Sequence, residues 1–595
     1  MITSAVFSSA RLRRWLALLL TLILALPLGA CSLDQFKTEA AQVPELIAAT
    51  LGEPKTFNYA ISQEAPNVFG FIYEGLITEN GLTAKVEPAL AESWKISDDK
   101  LRITFTLRKG LKWSDGQPLT AEDVVFTYND IYLNEKIPAP TRDILRIGEN
   151  GALPRVRKLD DRRVEFSVPE PFAPFLRITG APILPAHSLR ASVKTLGPDG
   201  NPKFISMWGV DTDPNQIIVN GPYRIASYST SQRVVFRRNP YYWRQDAQGN
   251  PQPYIERFVW EIVESSDTAL LQFRSGGLDM LGTSPLTFSL LKHEEKQGDF
   301  TIYNGGPDST TTFITFNLNQ GRRSNGTPLV DPVKSRWFNS VAFRQAVAHA
   351  IDRRTLINNV FRGLAEPQNS PISVQSPYYL SPQEGLKVYD YNPGKAKKLL
   401  LGAGFKENKG QLFDADGNRV RFTLLTNTGS RTAEAVGAQI KQDLSKIGMQ
   451  VDFSPIEFNT LLDKLSNSLD WECYFGLITG GVEPNDGANL WSLDGRLHEF
   501  NQAPGPGQPP IMGRKISDWE REIARLYVQG ARELDETKRK AIYAETQRIA
   551  QEYLPFIYLV NPLSLTAVRN KIQGVKPSGL GGDLWNIYEL KVVDQ

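Results

Sequence analysis

From Leu101 to Arg108 apolar and polar residues alternate without a break. Leu101, Ile103, Phe105 and Leu107 fall on one side of an extended chain, and Arg102, Thr104, Thr106 and Arg108 on the other. A period of two is the pattern of a half-buried strand. Asp98-Asp99-Lys100 before it is a turn, so the Trp94–Ile96 run and this strand are predicted to form a hairpin. Asp115-Gly116 marks a second tight turn. The period then lengthens: Val124, Val125, Tyr128 and Ile131 share one helical face, and Thr120 stands three residues before Asp123 in the spacing of a capping box.

The same reading continues along the chain. Strands are predicted at Glu45 to Ala49, Arg163 to Val168, Val234 to Phe236, Glu256 to Val263, Thr312 to Asn319 and Leu554 to Val560. Helices are predicted over Asn67 to Leu76, Thr268 to Arg274 and Ser340 to Ile351, then from Asp352 to Val360, and from Asp518 and Thr537 onward. Arg419 to Asn427, then a helix from Thr432 to Lys446 with Val436, Ile440, Leu444 and Ile447 inward, then Val451 and Phe453, read as strand, helix, parallel strand. Asn501 to Pro510 reads as an exposed loop, and the tail from Leu584 to Val593 is expected to return to the first part of the fold.

The stretch from Pro88 to Asn129 resembles the signature of the extracellular solute-binding proteins of the peptide/nickel class, the receptors of ABC importers. The residues that carry it are Pro88, Leu90-Ala91-Glu92-Ser93-Trp94, Phe105-Thr106-Leu107-Arg108, Gly110, Trp113, Asp115-Gly116 and Leu119-Thr120-Ala121-Glu122-Asp123-Val124. Further matches are Tyr73-Glu74-Gly75-Leu76, Asn220-Gly221-Pro222-Tyr223, Arg344-Gln345-Ala346 and Ala350-Ile351-Asp352. The resemblance implies an α/β, two-lobed periplasmic-binding-protein (Venus-flytrap) fold with an extra domain inserted in the first lobe. Ligand would bind between the lobes and be enclosed by hinge closure. The boundaries expected are a leader over 1–30, a tether over 31–44, lobe I from 45–68, 203–310 and 563–595, the inserted domain over 69–202, and lobe II over 311–562.

Composition narrows the compartment and the partners. The 595 residues give ample core for several units, and a net charge of +2 offers no argument for nucleic acid. Arg11, Arg13 and Arg14 precede an apolar run from Trp15 to Leu28, shorter than a membrane span of about 20 residues. Leu28-Gly29-Ala30-Cys31 matches a lipobox, which implies cleavage before Cys31 and a lipid on its sulfur. The alternatives are a plain signal peptide or an uncleaved anchor. The expectation is an exported, lipid-tethered monomer in the periplasm or cell envelope. Its partners would be a peptide or other small solute and the permease and ATPase subunits of the importer. Cys473, in the apolar run Trp471 to Phe475, reads as a core residue.

No enzyme signal emerges. The four histidines, His187, His293, His349 and His498, are scattered, with no zinc spacing, no nucleophile elbow and no phosphate-cradling loop. No cofactor or metal is expected, although a metal held through a chelator would leave no such trace.

In the resembling family an acidic residue of the second lobe pairs with the ligand's ammonium group, in a pattern like Gly-Trp-x-x-Asp-Tyr-x-x-Pro. Setting Gly476 and Pro484 on that pattern puts Gly480 at the acidic position. Glu483 is close enough in sequence to supply the charge. Alternatively Gly480-Gly481 is only a turn and the acid comes from elsewhere, which favours a blocked peptide or a non-peptide solute such as an oligosaccharide, opine or chelated nickel. Thr479, Gly480, Gly481, Glu483 and Asn485 are the candidate contacts of this loop. Tyr223, Asn317, Asn319 and Trp491 are the others, each also readable as scaffold. A surface chaperone or signalling receptor on the same scaffold, and a periplasmic hydrolase, are the readings from other classes.

Overall fold

The computed structural model describes residues 43–593, apart from 63–67, 149, 496 and 506–507. The leader, Cys31 and most of the tether lie outside the described residues, as does Asn67.

Two large sheets build the molecule. The first runs in the order Phe300–Pro307, Val560–Arg569, Met280–Gly282, Glu45–Thr50, Arg257–Ile262, Arg233–Arg238, Tyr223–Ser229, with Ala365–Pro367 added to Val560–Arg569. Glu45–Thr50 is parallel to Arg257–Ile262, Leu46 facing Phe258. The second sheet runs Gln450–Ile456, Arg421–Asn427, Cys473–Thr479, Thr310–Phe316, Phe556–Tyr558. Its inner strand Thr310–Phe316 is buried on both faces past its first residue, so it is apolar and threonine-rich throughout rather than alternating.

The segments from Pro307 to Thr310 and from Tyr558 to Val560 carry the chain directly from one sheet to the other, and Ala365–Pro367 reaches from the second part of the chain to the start of Val560–Arg569. These crossings define two lobes. The single strand expected over Leu554 to Val560 is therefore two. Leu554 caps the preceding helix with φ 48°, Phe556–Tyr558 serves the second lobe, and Val560–Arg569 carries on through the first.

The predicted strand-helix-strand is present as Arg421–Asn427, Arg431–Ser445 and Gln450–Ile456, with the two strands parallel. Val436, Ile440 and Leu444 bury the helix face. A Cβ at Gly437 would stand 2.1 Å from the Phe453 ring, so only glycine lets this helix sit so close to the sheet.

A smaller antiparallel sheet, Ala91–Ile96, Arg102–Leu107, Arg163–Ser167 and Arg155–Lys158, holds the signature stretch. The hairpin is as the alternation predicts, Trp94 facing Phe105. The capping box forms: Thr120 accepts from the Glu122 amide, and Asp123 accepts from the Thr120 amide at 2.9 Å. Apolar residues of this sheet and of one face of the first lobe's sheet make one continuous cluster around Phe105, Trp113, Tyr128, Phe166, Tyr223 and Phe258. The second lobe has its own cluster.

Three expectations need correction. The helix expected over Asn67 to Leu76 is a single turn, Phe69–Ile72, because Tyr73 onward turns away to pair as strand Ile77–Glu79. The strand expected to Asn319 ends at Phe316. Asn501, Gln502 and Ala503 are buried rather than exposed, Asn501 donating to the buried Glu520 at 2.7 Å. The tail does return to the first lobe: Lys591–Val592 pairs with Ile572–Gln573, and Leu590 is buried in the first cluster.

Candidate functional site

Two cavities meet where the lobes face each other. The one in the second lobe holds about 130 Å³. Its walls are the end of strand Cys473–Thr479, the following loop to Gly487, Trp491, Thr311 and Phe313 of strand Thr310–Phe316, Ile372 and Ser373, Tyr527, Phe556 and Tyr558. The one in the first lobe holds about 560 Å³ and is lined by Glu74, Glu79, Glu87, Arg177, Tyr242, Arg244, Trp585 and Tyr588 among others. Arg177 of the first cavity lies 3.7 Å from Glu483 of the second, joining the two.

The electrostatics centre on five side chains. Glu483 is buried and gripped by both terminal nitrogens of Arg539, one of them at 2.8 Å. Arg539 also donates to the Tyr378 hydroxyl and to the Gly530 carbonyl, each at 2.8 Å. Across the cleft Arg177 pairs with Glu79 at 2.6 Å. The fifth group is Asp486. It keeps open surface on the cavity lining while protein crowds it on its other sides, and no ion pair from the described residues reaches it. Loss of hydration, then the neighbouring Glu483 and Glu79 charges, push its carboxyl up to about 7, against the opposing pull of Arg177 and Arg539.

Asp486 reaches back over the glycine pair. A Cβ at Gly481 would stand 2.3 Å from Asp486 Oδ2, so glycine there leaves the space the carboxylate fills. Gly480 is held by its amide, which donates to the Ser309 carbonyl at 2.9 Å. Asp486 thus sets a carboxyl group beside the glycine pair.

The other predicted residues divide. Thr479, Gly480, Gly481, Glu483 and Trp491 line the cavity. Glu483 does so with its charge engaged by Arg539, which corrects the expectation that it could pair with a ligand cation. Its Oε1 also accepts from the Asn485 amide at 3.1 Å, shaping the turn that carries Asp486. Asn485 itself is not among the lining residues.

Tyr223 is fully buried in the first lobe, its hydroxyl donating to the Ile255 carbonyl at 3.2 Å. Asn317 donates to the Trp471 carbonyl at 3.2 Å and Asn319 to the Gln502 carbonyl at 2.9 Å, both buried within the second lobe. These three are scaffold because each side chain satisfies a buried carbonyl that would otherwise lack a partner. Cys473 is buried with its thiol pushed up by loss of hydration, and His187 sits on Asp115 at 2.8 Å, outside both cavities.

Sequence reasoning missed Asp486, Arg539, Arg177 and Glu79. Asn485-Asp486-Gly487 reads as a turn, and the partners of the cluster lie from tens to hundreds of residues apart.

Two α/β lobes linked by two crossing strands, with charged groups of both meeting over a shared cleft, define a protein that encloses a solute between its halves. The sequence profile of the bacterial extracellular solute-binding proteins, family 5, matches residues 85–497, and the chain belongs to this family. It is 30% identical over 552 residues to a probable ABC transporter-binding protein of Deinococcus radiodurans, covering 89% of this chain and 88% of that one. It is 26% identical over 584 residues to the oligopeptide-binding protein AppA of Bacillus subtilis, covering 93% and 94%. The solved structure of that AppA with a nonapeptide matches with a TM-score of 0.68 at 23% identity, over 92% of this chain and 99% of the other. NikA of Brucella suis with Fe(III)-EDTA matches at 0.73 and 20%, over 92% and 100%. These structural likenesses carry the fold. No helix among the described residues is long and apolar enough to cross a membrane.

Proposed function

We propose that this protein captures peptides between its lobes and delivers them to the permease of an ABC importer, with Asp486 taking the ligand's ammonium group. One observation carries the reading: three carboxylates, Glu79, Glu483 and Asp486, stand against two guanidinium groups, Arg177 and Arg539, and among the described residues Asp486 is the carboxylate of the three left without an ion pair. A cation arriving from the ligand completes the set, and a buried cation requires such a partner. The similarity to an oligopeptide-binding protein over nearly the whole chain supports the peptide class.

In this reading the protein performs no chemistry of its own. It acts as a monomer, exported and tethered through a lipid on Cys31, with the lobe and inserted-domain boundaries given above. The basic leader and the Leu28-Gly29-Ala30-Cys31 run support the tether. Replacing Cys31 by Ser should then move the protein from the membrane fraction to the soluble one.

The direct test is native mass spectrometry of the purified protein before and after mild denaturation, followed by calorimetry with the released species. A set of peptides whose binding is abolished by N-acetylation is the expected result. Release of a single non-peptide mass would overturn the peptide reading.

A further inference from the structure

We propose that the second-lobe cavity is the pocket for the side chain of the ligand's first residue, and that it selects a large apolar one. The inference rests on the reading of Asp486 as the ammonium partner. Phe313, Ile372, Ile478, Trp491, Tyr527 and Phe556 are the large apolar side chains of the wall, with Asp486 on the same lining. In a peptide the α-ammonium and the first side chain leave the same carbon. A carboxylate beside an apolar pocket is the arrangement that such a residue meets when it is apolar.

The wall is rigid. Trp491 stacks on Tyr527 with centroids 6.0 Å apart and 25° between planes, and meets Phe556 edge-on at 6.0 Å. Phe313 meets Phe556 edge-on at 4.7 Å. Two polar groups on the wall are already engaged, Thr311 Oγ1 accepting from Gln368 at 3.0 Å and Glu483 held by Arg539, while the buried Tyr558 hydroxyl finds no hydrogen-bond partner among the described residues. A polar side chain entering here would lose its hydration and find few partners on a wall that is mostly apolar, the Tyr558 hydroxyl being one.

The size agrees. The cavity holds about 130 Å³, close to the roughly 150 Å³ of an apolar cavity that accepts benzene. That suits a phenylalanine or leucine side chain. The first-lobe cavity is about four times larger, 560 Å³ against 130 Å³, and carries Glu74, Glu79, Glu87, Arg177 and Arg244. Later residues of the ligand would meet that wetter, polar space, where side chains of many kinds are tolerated. Selectivity is thereby concentrated at the first position.

The test is calorimetry on the full-length protein with tripeptides X-Ala-Ala, X being Phe, Leu, Ser or Asp, each with a free and an acetylated N-terminus. Phe- and Leu-first peptides should bind at least tenfold tighter than Ser- and Asp-first ones. Equal affinity for all four free peptides, with acetylation still abolishing binding, would overturn the pocket and leave the Asp486 reading intact. Equal binding of free and acetylated forms would overturn the Asp486 reading. A preference for Phe and Leu within the acetylated series would then still support the pocket.

A variant supplies the second arm. Gly487 lines the cavity with φ −93° and ψ 11°, and a Cβ there meets nothing within 4 Å. Gly487→Leu should weaken Phe-first peptides tenfold or more and leave Ser-first peptides within twofold. An equal change for both would sink the proposal.

Discussion

Arg177 of the first lobe and Glu483 of the second stand 3.7 Å apart across the cleft. Arg177 is bound on its own side by Glu79 and Glu483 on its own side by Arg539, so the contact is the point where two local ion pairs become one network. Two more contacts close the lobes. Arg532 meets Glu170 with two hydrogen bonds of 2.8 Å, and the Ala173 amide donates to the Ala531 carbonyl at 2.7 Å. The Arg532–Glu170 pair is half open to solvent, and such pairs contribute roughly 0–1 kcal/mol. Interlobe polar contacts of this strength bias closure without locking it, and ligand supplies the rest.

Arg177→Met should therefore loosen the closed state without unfolding either lobe. The expected result is a several-fold faster dissociation of bound peptide with an association rate within about twofold. Stopped-flow competition reads this directly. An unchanged dissociation rate would show that Arg177 plays no part in closure.

Asp486→Asn removes the charge and keeps the shape. Charged hydrogen bonds contribute about 1.5–3 kcal/mol, so affinity for free-amine peptides should fall by roughly ten- to a hundredfold. Acetylated peptides should be indifferent to the change. Among the described residues no side-chain hydrogen bond or ion pair holds Asp486, so the variant's unfolding transition should stay cooperative. Calorimetry on the pair of peptides, with and without acetyl, decides between a charge partner and a bystander.

The pH dependence follows from the carboxyl of Asp486 standing at about 7 rather than near its ordinary 3.8. A ligand cation needs the carboxylate, so below about pH 7 binding must expel a proton. Affinity should fall as pH drops from 7 to 5, and this dependence should vanish in Asp486→Asn. Above about pH 8 the peptide's own amine loses its proton, so the profile should turn down again. Stability without ligand has the opposite sense. The folded protein holds this proton more tightly than the unfolded chain, so the contribution is fully present below pH 3.8 and is lost as pH rises to about 7. Asp486→Asn should gain in melting temperature over the parent at pH 8 and match it at pH 4. A parent with flat affinity between pH 5 and 7 would contradict the perturbed carboxyl.

The scaffold was far more legible in the sequence than the site, for a physical reason. The hairpin, the capping box and the strand-helix-strand rest on contacts between residues near in sequence, and periodicity records those. Thr120 and Asp123 are three residues apart, and their reciprocal bonds form as the spacing requires. The charge cluster depends on residues such as Arg177 and Arg539, which no local pattern relates. Val560–Arg569 escaped for a similar reason, because an uninterrupted apolar run does not announce that the chain has changed sheets. The loop from Gly476 to Pro484 lay in between. Its location on the cavity followed from the family pattern, but the residue supplying the free carboxylate lay beyond the pattern, at Asp486.

The Glu483–Arg539 pair gives the sharpest stability prediction, because both side chains are buried, at 3% and 4% exposure. Removing one partner of a buried pair strands the other charge at a cost of about 3–5 kcal/mol, whereas replacing both is often close to neutral. Arg539→Met should cost about that much, toward the lower end because Arg177 already stands 3.7 Å from Glu483. Adding Glu483→Gln to Arg539→Met should recover most of the loss, the remainder being the bonds that the Gly530 carbonyl and the Tyr378 hydroxyl no longer receive. Urea unfolding of the parent, the single and the double variant measures this. A double variant no more stable than Arg539→Met would mean that the loss comes from the guanidinium's contact with the Tyr378 and Tyr543 rings rather than from the stranded carboxylate. Ligand binding should separate from stability in the same set. Glu483 shapes the turn before Asp486, so the double variant should remain folded yet bind free-amine peptides several-fold more weakly than the parent.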